Sequence, residues 1–369
     1  GKTFNAAIKD TGSLNSDWVT RIFLCSYPAP GGGGSSEHTA TIQSMNWWLT
    51  YCHPTDEDLA LAVRHKLNGD GSIAMLDGAP IDLVTIYGRK GLAKREVLAE
   101  LYPERWFPNN ALLCEKDMDI GGDPTIQGTV PHVHTNSNLD IGGSPYIGGN
   151  ATASGSINIS GNPTIMGDTA SGVSRAWIPR VKASDFFYMH EYLMMNGGDA
   201  QDSAGDPVNP KDLGWNWTGN KWKVTGDAVD GVYYLQGSNV EVSGNPGAPD
   251  DPWEATIISE GYIRFTGNPT MTSRYEGILL VAEGDANGDG GIDGQPVVAV
   301  SGTPSGEVLN YCGAILSHGD LQISGNTRAD GCLVAEGGIP IGGTPTITYN
   351  GTRYAWPFVR YDLHAWREK

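Results

Sequence analysis

Short strands with alternating apolar and polar positions recur between residues 120 and 350. Residues 156–160, 239–243 and 320–324 each place two aliphatic side chains on one face and polar side chains on the other. This period of two is typical of a strand that buries one face. A Gly-Asn-Pro turn follows the first of these strands, and related glycine turns follow the others. The pattern therefore predicts many short strands joined by tight corners.

The corners repeat at a nearly constant spacing. Their central glycines occupy positions 122, 143, 161, 244, 267, 302, 325 and 343, in steps of 21, 18, 23, 23 and 18 residues where nothing is inserted. Self-similarity at this period predicts a solenoid. Glycine permits a positive φ at a corner, and proline fixes the direction in which the chain leaves it. We therefore predict a mainly β chain, most of it a right-handed parallel β-helix (β-solenoid) with coils about 4.8 Å apart.

Interruptions of the repeat predict the domain boundaries. Residues 1–110 lack it and predict a small N-terminal α+β head. The solenoid is predicted over residues 111–350, with a helical and tryptophan-rich insertion at residues 174–230. The aromatic and charged tail, residues 351–369, predicts either a cap on the rod or a strand that returns to the head.

Local patterns predict elements inside the head and the insertion. A capping threonine followed by acidic residues predicts a short helix over residues 55–65. Residues 81–87 predict a strand, and residues 93–101 predict a strand or a short helix. In the insertion, the apolar run at 185–195 predicts a helix and the alternating tryptophans at 215–222 predict a hairpin.

The charge balance limits the partners of the chain. It carries 24 basic and 42 acidic residues, a net charge of −18. Such a chain should be soluble and should repel duplex DNA and anionic membranes unless a local basic patch intervenes. No apolar run reaches the length of about 18 residues that a membrane span requires.

The five cysteines allow at most two internal disulfides. Cys312 and Cys332 lie near the start of the same strand in successive coils, so we expect a bridge between the coils. Cys25 and Cys52 form the second expected bridge, which leaves Cys114 in the first coil. The alternative is that all five are core thiols, as in a cytosolic protein.

One loop has the pattern of a calcium site. Oxygen donors occupy its positions 1, 3, 5 and 9, glycine its position 6 and an apolar residue its position 8. The predicted ligands are Asp285, Asn287, Asp289, the carbonyl of Gly291, and Asp293. Pro296 stands where a bidentate glutamate is expected, so a further ligand such as Glu283 is needed. The alternative is a polar, glycine-rich turn.

A second candidate site follows from aligning the coils. Glu260, Glu283, His318 and Glu336 each precede a glycine corner, so stacked coils would bring them together. Close carboxylates raise each other's pKa, which would suit a carbohydrate-cleaving centre or a metal site. We favour the plainer interpretation, in which these are solvated corner residues.

Two further groups of residues have the composition of binding sites. His132 and His134 share one face of a strand, but without a third ligand a surface pair is favoured over zinc. Trp215, Trp217 and Trp222 alternate with lysines and would suit a glycan or single-stranded nucleic acid, although we favour a role in fastening the insertion. The basic residues that would form a nucleic-acid patch are Arg175, Arg180, Lys182, Lys221 and Lys223.

The order of several segments resembles a known family. Residues 88–97 run into the opening coil at 111–118. After this coil come the Ser-Gly-Asn-Pro coils, the tryptophan-rich insertion with Ile178-Pro179, and the ending Trp366-Arg367-Glu368. Together these are similar to the PilX-like minor pilins of bacterial type IV pili that carry a β-solenoid. Such proteins anchor through an N-terminal hydrophobic helix. This chain has no such run, so we expect an ectodomain without it.

The resemblance implies a non-enzymatic protein of the bacterial cell surface that acts in pilus assembly, adhesion or DNA capture. The implied partners are other pilins and a host or surface glycan or extracellular DNA. Two alternatives remain open from the residues. One is an extracellular β-helix carbohydrate-active enzyme, a lyase or hydrolase, and the other is a nucleic-acid-binding surface protein for DNA uptake.

Overall fold

The computed structural model describes residues 24–26, 36–38, 47–52, 57–70, 72, 74–76, 79–90, 93–105, 108–275, 277–289, 291–292, 294, 296–303, 309–351 and 359–368. The chain forms two compact units. The head comprises residues 1–106 and 358–369, and the solenoid comprises residues 107–357. In the described ranges, no helix has the length and apolar composition that a membrane crossing requires.

All regular elements described in the head are strands. They are β1 (Leu24–Ser26), β2 (Ser36–His38), β3 (Trp47–Cys52), β4 (Glu57–His65), β5 (Met75–Leu76), β6 (Ala79–Pro80), β7 (Asp82–Lys90), β8 (Ala93–Arg105) and β38 (Val359–Glu368). Five of them form an antiparallel sheet in the order β3-β4-β7-β8-β38. The C-terminal strand therefore completes the head sheet beside β8.

The helix predicted over residues 55–65 is wrong, because Glu57–His65 is the strand β4. Its run Leu-Ala-Leu-Ala-Val alternates in a way that a strand also satisfies. β3 and β7 pair with it on both edges, and this tertiary pairing outweighs the capping signal. The helical component predicted for the head is thus not found among its described residues.

The solenoid has three faces of parallel strands. Face A contains β9 (Leu112–Cys114), β12 (Val133–Thr135), β15 (Ala151–Ala153), β18 (Thr169–Ser171), β19 (Tyr192–Met195), β24 (Gly231–Gln236), β26 (Trp253–Ser259), β29 (Ile278–Ala282), β32 (Ala314–Ser317) and β35 (Leu333–Ala335). Face B contains β10 (Met118–Ile120), β13 (Leu139–Ile141), β16 (Ile157–Ile159), β25 (Asn239–Val242), β27 (Ile263–Phe265), β30 (Val298–Gly302), β33 (Leu321–Gly325) and β36 (Ile339–Ile341). Face C contains β11 (Thr125–Gln127), β14 (Tyr146–Ile147), β17 (Thr164–Ile165), β28 (Met271–Thr272), β31 (Tyr311–Cys312), β34 (Arg328–Asp330) and β37 (Thr346–Thr348). The predicted parallel β-helix is confirmed.

The coils do not stack in sequence order. On face B the strands follow the order β16-β13-β10-β36-β33-β30-β27-β25. The last coil therefore docks on the first, with Leu333 beside Leu112, Ile339 beside Met118 and Thr346 beside Thr125. The first three coils run from this joint to one end of the rod, and the remaining coils run from the other end back to it.

The alternating pattern predicted the buried face correctly. In β10, Met118 and Ile120 are fully buried while Asp119 is exposed. The corners are as tight as the glycines indicate, since Gly143 has φ +75° and an added Cβ would lie 2.2 Å from the carbonyl oxygen of Gly122. The glycine corners that meet where the last coil docks on the first are far apart in sequence, and they stack in the same way.

The insertion contains β20 (Ala200–Asp202), β21 (Pro207–Val208), β22 (Trp215–Thr218), β23 (Lys221–Val224) and two 3₁₀ helices, Ala183–Met189 and Pro210–Leu213. The predicted hairpin is observed as the antiparallel pair β22–β23, which extends face B beyond β25. The helix predicted over 185–195 is correct only in its first half. Tyr192–Met195 is a strand because it pairs with β24.

Candidate functional site

A connecting segment runs along face A from one end of the rod to the other. We call residues 173–190, between β18 and β19, the strap. Arg175 forms an ion pair with Glu115, beside the joint. The 3₁₀ helix at its other end packs against β24 and β26, and Phe187 contacts Tyr234 edge-on with ring centroids 4.9 Å apart.

The strap covers an apolar surface. Val181, Ala183 and Phe186 have no exposed surface. The strands beneath are buried at consecutive positions; Ile278–Ala282 and Leu333–Ala335 are both fully buried along their length. A strand that is apolar throughout is typical of a sheet covered on both sides.

The polar row lies beside this apolar surface. We give this name to the residues that directly follow successive face A strands, namely Glu260, Glu283, His318, Glu336, Glu115 and Asn136. The structure brings together the four residues that the sequence singled out. It adds Glu115 and Asn136, which the same offset from the first two coils could have identified.

The polar row holds the backbone of the strap. Glu336 accepts a hydrogen bond from the Val181 amide, and the Glu283 carboxylate accepts one at 3.0 Å from the Ala183 amide. The Asn136 side chain bonds both the N–H and the C=O of Ala176, each at 2.7 Å. Because strap amides occupy Glu283 and Glu336, the interpretation of these two as solvated corner residues is wrong.

Other members of the row bond within the coils. Glu260 accepts hydrogen bonds from the Tyr234 hydroxyl and the Gly237 amide, both at 2.7 Å. His318 Nδ1 lies 2.8 Å from Glu336. Burial raises the pKa of Glu283, against the lowering effect of the Ala183 hydrogen bond, and the charge of Glu260 raises it further. The polar row is thus a line of polar side chains that hydrogen-bond to other groups of the protein.

The turn that begins at Asp285 gathers several oxygens. Asp285 and Asn287 each place a side-chain oxygen on the amide of Asp289, at 3.1 and 2.9 Å, and Asp289 accepts from the Gly291 amide at 2.8 Å. The predicted ligand Asp293 lies outside the described residues. The described residues contain no group of three or more His, Cys, Asp or Glu side chains arranged to hold a metal ion.

The two histidines are not a surface pair. His134 is 5% exposed, and its ring nitrogens contact the side chains of Thr152 at 2.9 Å and Asn136 at 3.1 Å. Burial lowers its pKa, opposed by the bond to Asn136. His132 accepts a hydrogen bond from the Asn150 amide at 2.9 Å. Both rings tie neighbouring coils together.

The expected bridge between Cys312 and Cys332 is wrong, since both are free thiols. The register places Cys312 beside Asp330, two positions from Cys332. Cys114 is also a free, buried thiol. The proposed bridge between Cys25 and Cys52 concerns side chains outside the described part of the molecule.

The tryptophans fasten the hairpin to the rod. Trp215 and Trp222 are fully buried, and Trp215 packs against Tyr233 with ring centroids 4.9 Å apart. Trp217 is half-buried and contacts Trp222. This arrangement agrees with the fastening role and leaves no row of exposed rings.

The basic residues do not form one patch. Arg175 pairs with Glu115, which lies beside β10. Lys221 and Lys223 of β23 pair with Glu241 of β25. Five strands of face B separate β10 from β23, a distance of about 29 Å at the usual strand spacing.

No protein-family model and no curated protein sequence matches the chain. The solved structures that align with it include two with low TM-scores. One is the competence-associated pilin ComZ from Thermus thermophilus, with 10% identity, 89% of this chain and 87% of that chain covered, and a TM-score of 0.30. The other is an ice binding protein from an Antarctic biological consortium, with 11% identity, 65% and 87% coverage, and a TM-score of 0.29.

Proposed function

We propose that this protein is a structural and interaction protein of the bacterial cell surface, a minor-pilin-like component of a type IV pilus that carries a β-solenoid. The position of the solenoid between two neighbouring strands of the head supports this proposal. The head strands β8 and β38 are neighbours, with Val359 beside Arg105, yet the whole solenoid lies between them in sequence. A domain inserted this way leaves the head sheet intact for assembly and makes the rod available for a partner.

The role is non-enzymatic in this proposal. The acidic groups that would serve a carbohydrate-cleaving centre accept hydrogen bonds from the strap or from their own coils. Of the three roles implied by the resemblance, the charges favour pilus assembly or adhesion over DNA capture. The net charge is −18, and the lysines of the hairpin are paired with Glu241.

The test is to shear pili from the native cells and probe the filament fraction for the protein. We expect it to co-sediment with filaments and to be lost from that fraction in cells without the major pilin. A variant in which a short linker replaces residues 107–357 should still enter the filaments, because β8 and β38 can pair without the rod. Absence of the intact protein from sheared filaments would contradict the proposal.

We further propose that the Asp285 turn binds calcium through Asp285, Asn287, Asp289, Gly291 and Asp293. The support is the convergence of the Asp285 and Asn287 side-chain oxygens on one amide. Glu283 is engaged by the strap through one oxygen, so a water or its second oxygen would complete the shell.

The calcium proposal has a matched control in the chain. Asp202 accepts the Ala204 and Asp206 amides, each at 2.9 Å, in a turn without the calcium pattern. Calcium should raise the melting temperature of the wild type and of Asp202→Asn. It should not raise that of the double variant Asp285→Asn, Asp289→Asn. If calcium raised the melting temperature equally in all three proteins, the Asp285 turn would not be the calcium site.

A further inference from the structure

One end of the rod is open. Its outermost coil contains β15, β16 and β17, with β18 completing the turn beyond β15. β16 is the terminal strand of face B, so no described strand lies along its outer edge. We call the surface formed by residues 156–171 the open end.

The aliphatic residues of β16 and β17 are more exposed than their equivalents in the next coils. Ile159 stacks on Ile141, which in turn stacks on Ile120, and their exposed fractions are 45%, 1% and 0%. Ile165 is half-buried whereas its neighbour Ile147 is fully buried. The open end therefore shows to its surroundings the apolar interior that other coils hide.

The opposite end of the rod is closed. There the antiparallel hairpin β22–β23 lies on β25, and Trp215 and Trp222 fill the interior without exposure. A copy of the chain cannot continue the parallel stack from the open end onto this plugged end. Among the described strands, the terminal strand at this end is β22, whose Trp215 is buried, so the exposed apolar core is presented at the open end.

The open end is almost uncharged. Residues 154–173 contain one charged side chain, Asp168, in a chain whose net charge is −18. This is a stretch on which two acidic molecules can approach without strong repulsion. A free strand edge over an apolar surface is also the feature that strands of another chain pair with most readily.

The molecule already contains one contact, between parallel strands, of two coils that are far apart in sequence. At the joint, the coil of β36 docks on the coil of β10, with Ile339 beside Met118 and Ile341 beside Ile120, although some 220 residues separate them in sequence. Two coil surfaces therefore dock without a direct chain connection when their cores and glycine corners match.

We propose that the open end binds the open end of a second copy of this chain. A two-fold axis would set β16 antiparallel to its copy and bury Ile159 and Met166 of both molecules. Such an isologous contact closes on itself and gives a dimer, not a fibre. The proposal goes beyond the pilus role and can succeed or fail independently of it.

The test measures the mass of the purified full chain by sedimentation over a range of concentrations, with reductant present to exclude disulfide dimers. We expect a monomer–dimer equilibrium. Ile159→Asp places two like charges near the axis and should weaken dimerisation at least about tenfold. Met166→Lys changes a residue that is 65% exposed, so it should weaken the dimer without affecting the monomer fold.

Leu309→Asp is the matched control, since Leu309 is 37% exposed and precedes β31, away from the open end. It should leave the dimer unchanged. Hydrogen exchange in residues 156–166 should slow as the dimer forms. A chain that is monomeric at all concentrations, or a dimer that neither end variant weakens, would overturn the proposal.

Discussion

Gly143→Ala tests whether the glycine corners hold neighbouring coils in contact. Gly143 has φ +75°, so alanine there is strained by about 1 kcal/mol. The new Cβ would lie 2.2 Å from the carbonyl oxygen of Gly122, which is 1.2 Å short of an ordinary 3.4 Å contact. The coils must separate locally to accommodate it.

That separation would weaken the backbone hydrogen bonds that flank the corner. The amide of Gly142 donates to Ile120 at 2.9 Å, and the amide of Ser144 donates to Gly122 at 3.0 Å. Each contributes about 1 kcal/mol net. With the strain, we expect Gly143→Ala to lower the free energy of unfolding by about 3 kcal/mol, or the melting temperature by about 6–12 °C.

Two other glycines separate the strain of the positive φ from the contact between the corners. Gly172 has φ +68° and nothing within 4 Å of an added Cβ, so Gly172→Ala should cost only the strain of about 1 kcal/mol. Gly142 would place its Cβ at 3.4 Å from Ser160 Oγ, without a positive φ, so Gly142→Ala should be nearly neutral. Thermal melting of the three variants is the assay. If Gly143→Ala were no worse than Gly172→Ala, contact between the corners would not contribute.

Three further predictions concern the strap and the thiols. The pKa of Glu283 is raised in the folded state, so its contribution to stability is present at acid pH and is lost as pH rises through that pKa. Glu283→Gln should remove this part of the pH dependence and melt higher than wild type at neutral pH; a lower melting temperature there would contradict it. Phe186→Ala should destabilise the solenoid by about 3–5 kcal/mol in denaturant titrations, whereas Tyr188→Ala, 63% exposed, should have little effect. Burial raises the pKa of the Cys114 thiol to about 12 and also raises that of Cys332, so neither should react with iodoacetamide until the protein unfolds. Fast labelling of either thiol in the native protein would show that the coil is open.

The regular coil was accessible to sequence reasoning because its signals are local. The alternation of apolar and polar residues in a strand such as β10 predicts which side chains face inward, and glycines at a fixed spacing predict where the chain turns. The same offset placed Glu283 and Glu336 in one row correctly. In the head, the capping residues predicted a helix that does not form, because the pairing of β4 with strands on both of its edges outweighs the capping signal.

The function of the polar row depended on contacts between distant segments. A Glu at a corner has the same sequence signature whether it meets water, substrate or a backbone amide. A run of consecutive apolar residues such as Ile278–Ala282 is typical of a strand covered on both sides, but the run does not specify which segment covers it. The cysteine pairing failed for a related reason, since an offset of two residues in register separates Cys312 from Cys332.

The amino-acid sequence by itself determined the coil: its strands, its inward faces and its glycine corners. Only the tertiary structure decided how the coils are ordered, because any coil offers nearly the same strand edges and core to any other. The last coil docks on the first, and the tail pairs with β8 in the head sheet. The strap crosses face A to connect the two ends. These choices depend on the summed packing of the whole rod, which no local pattern records.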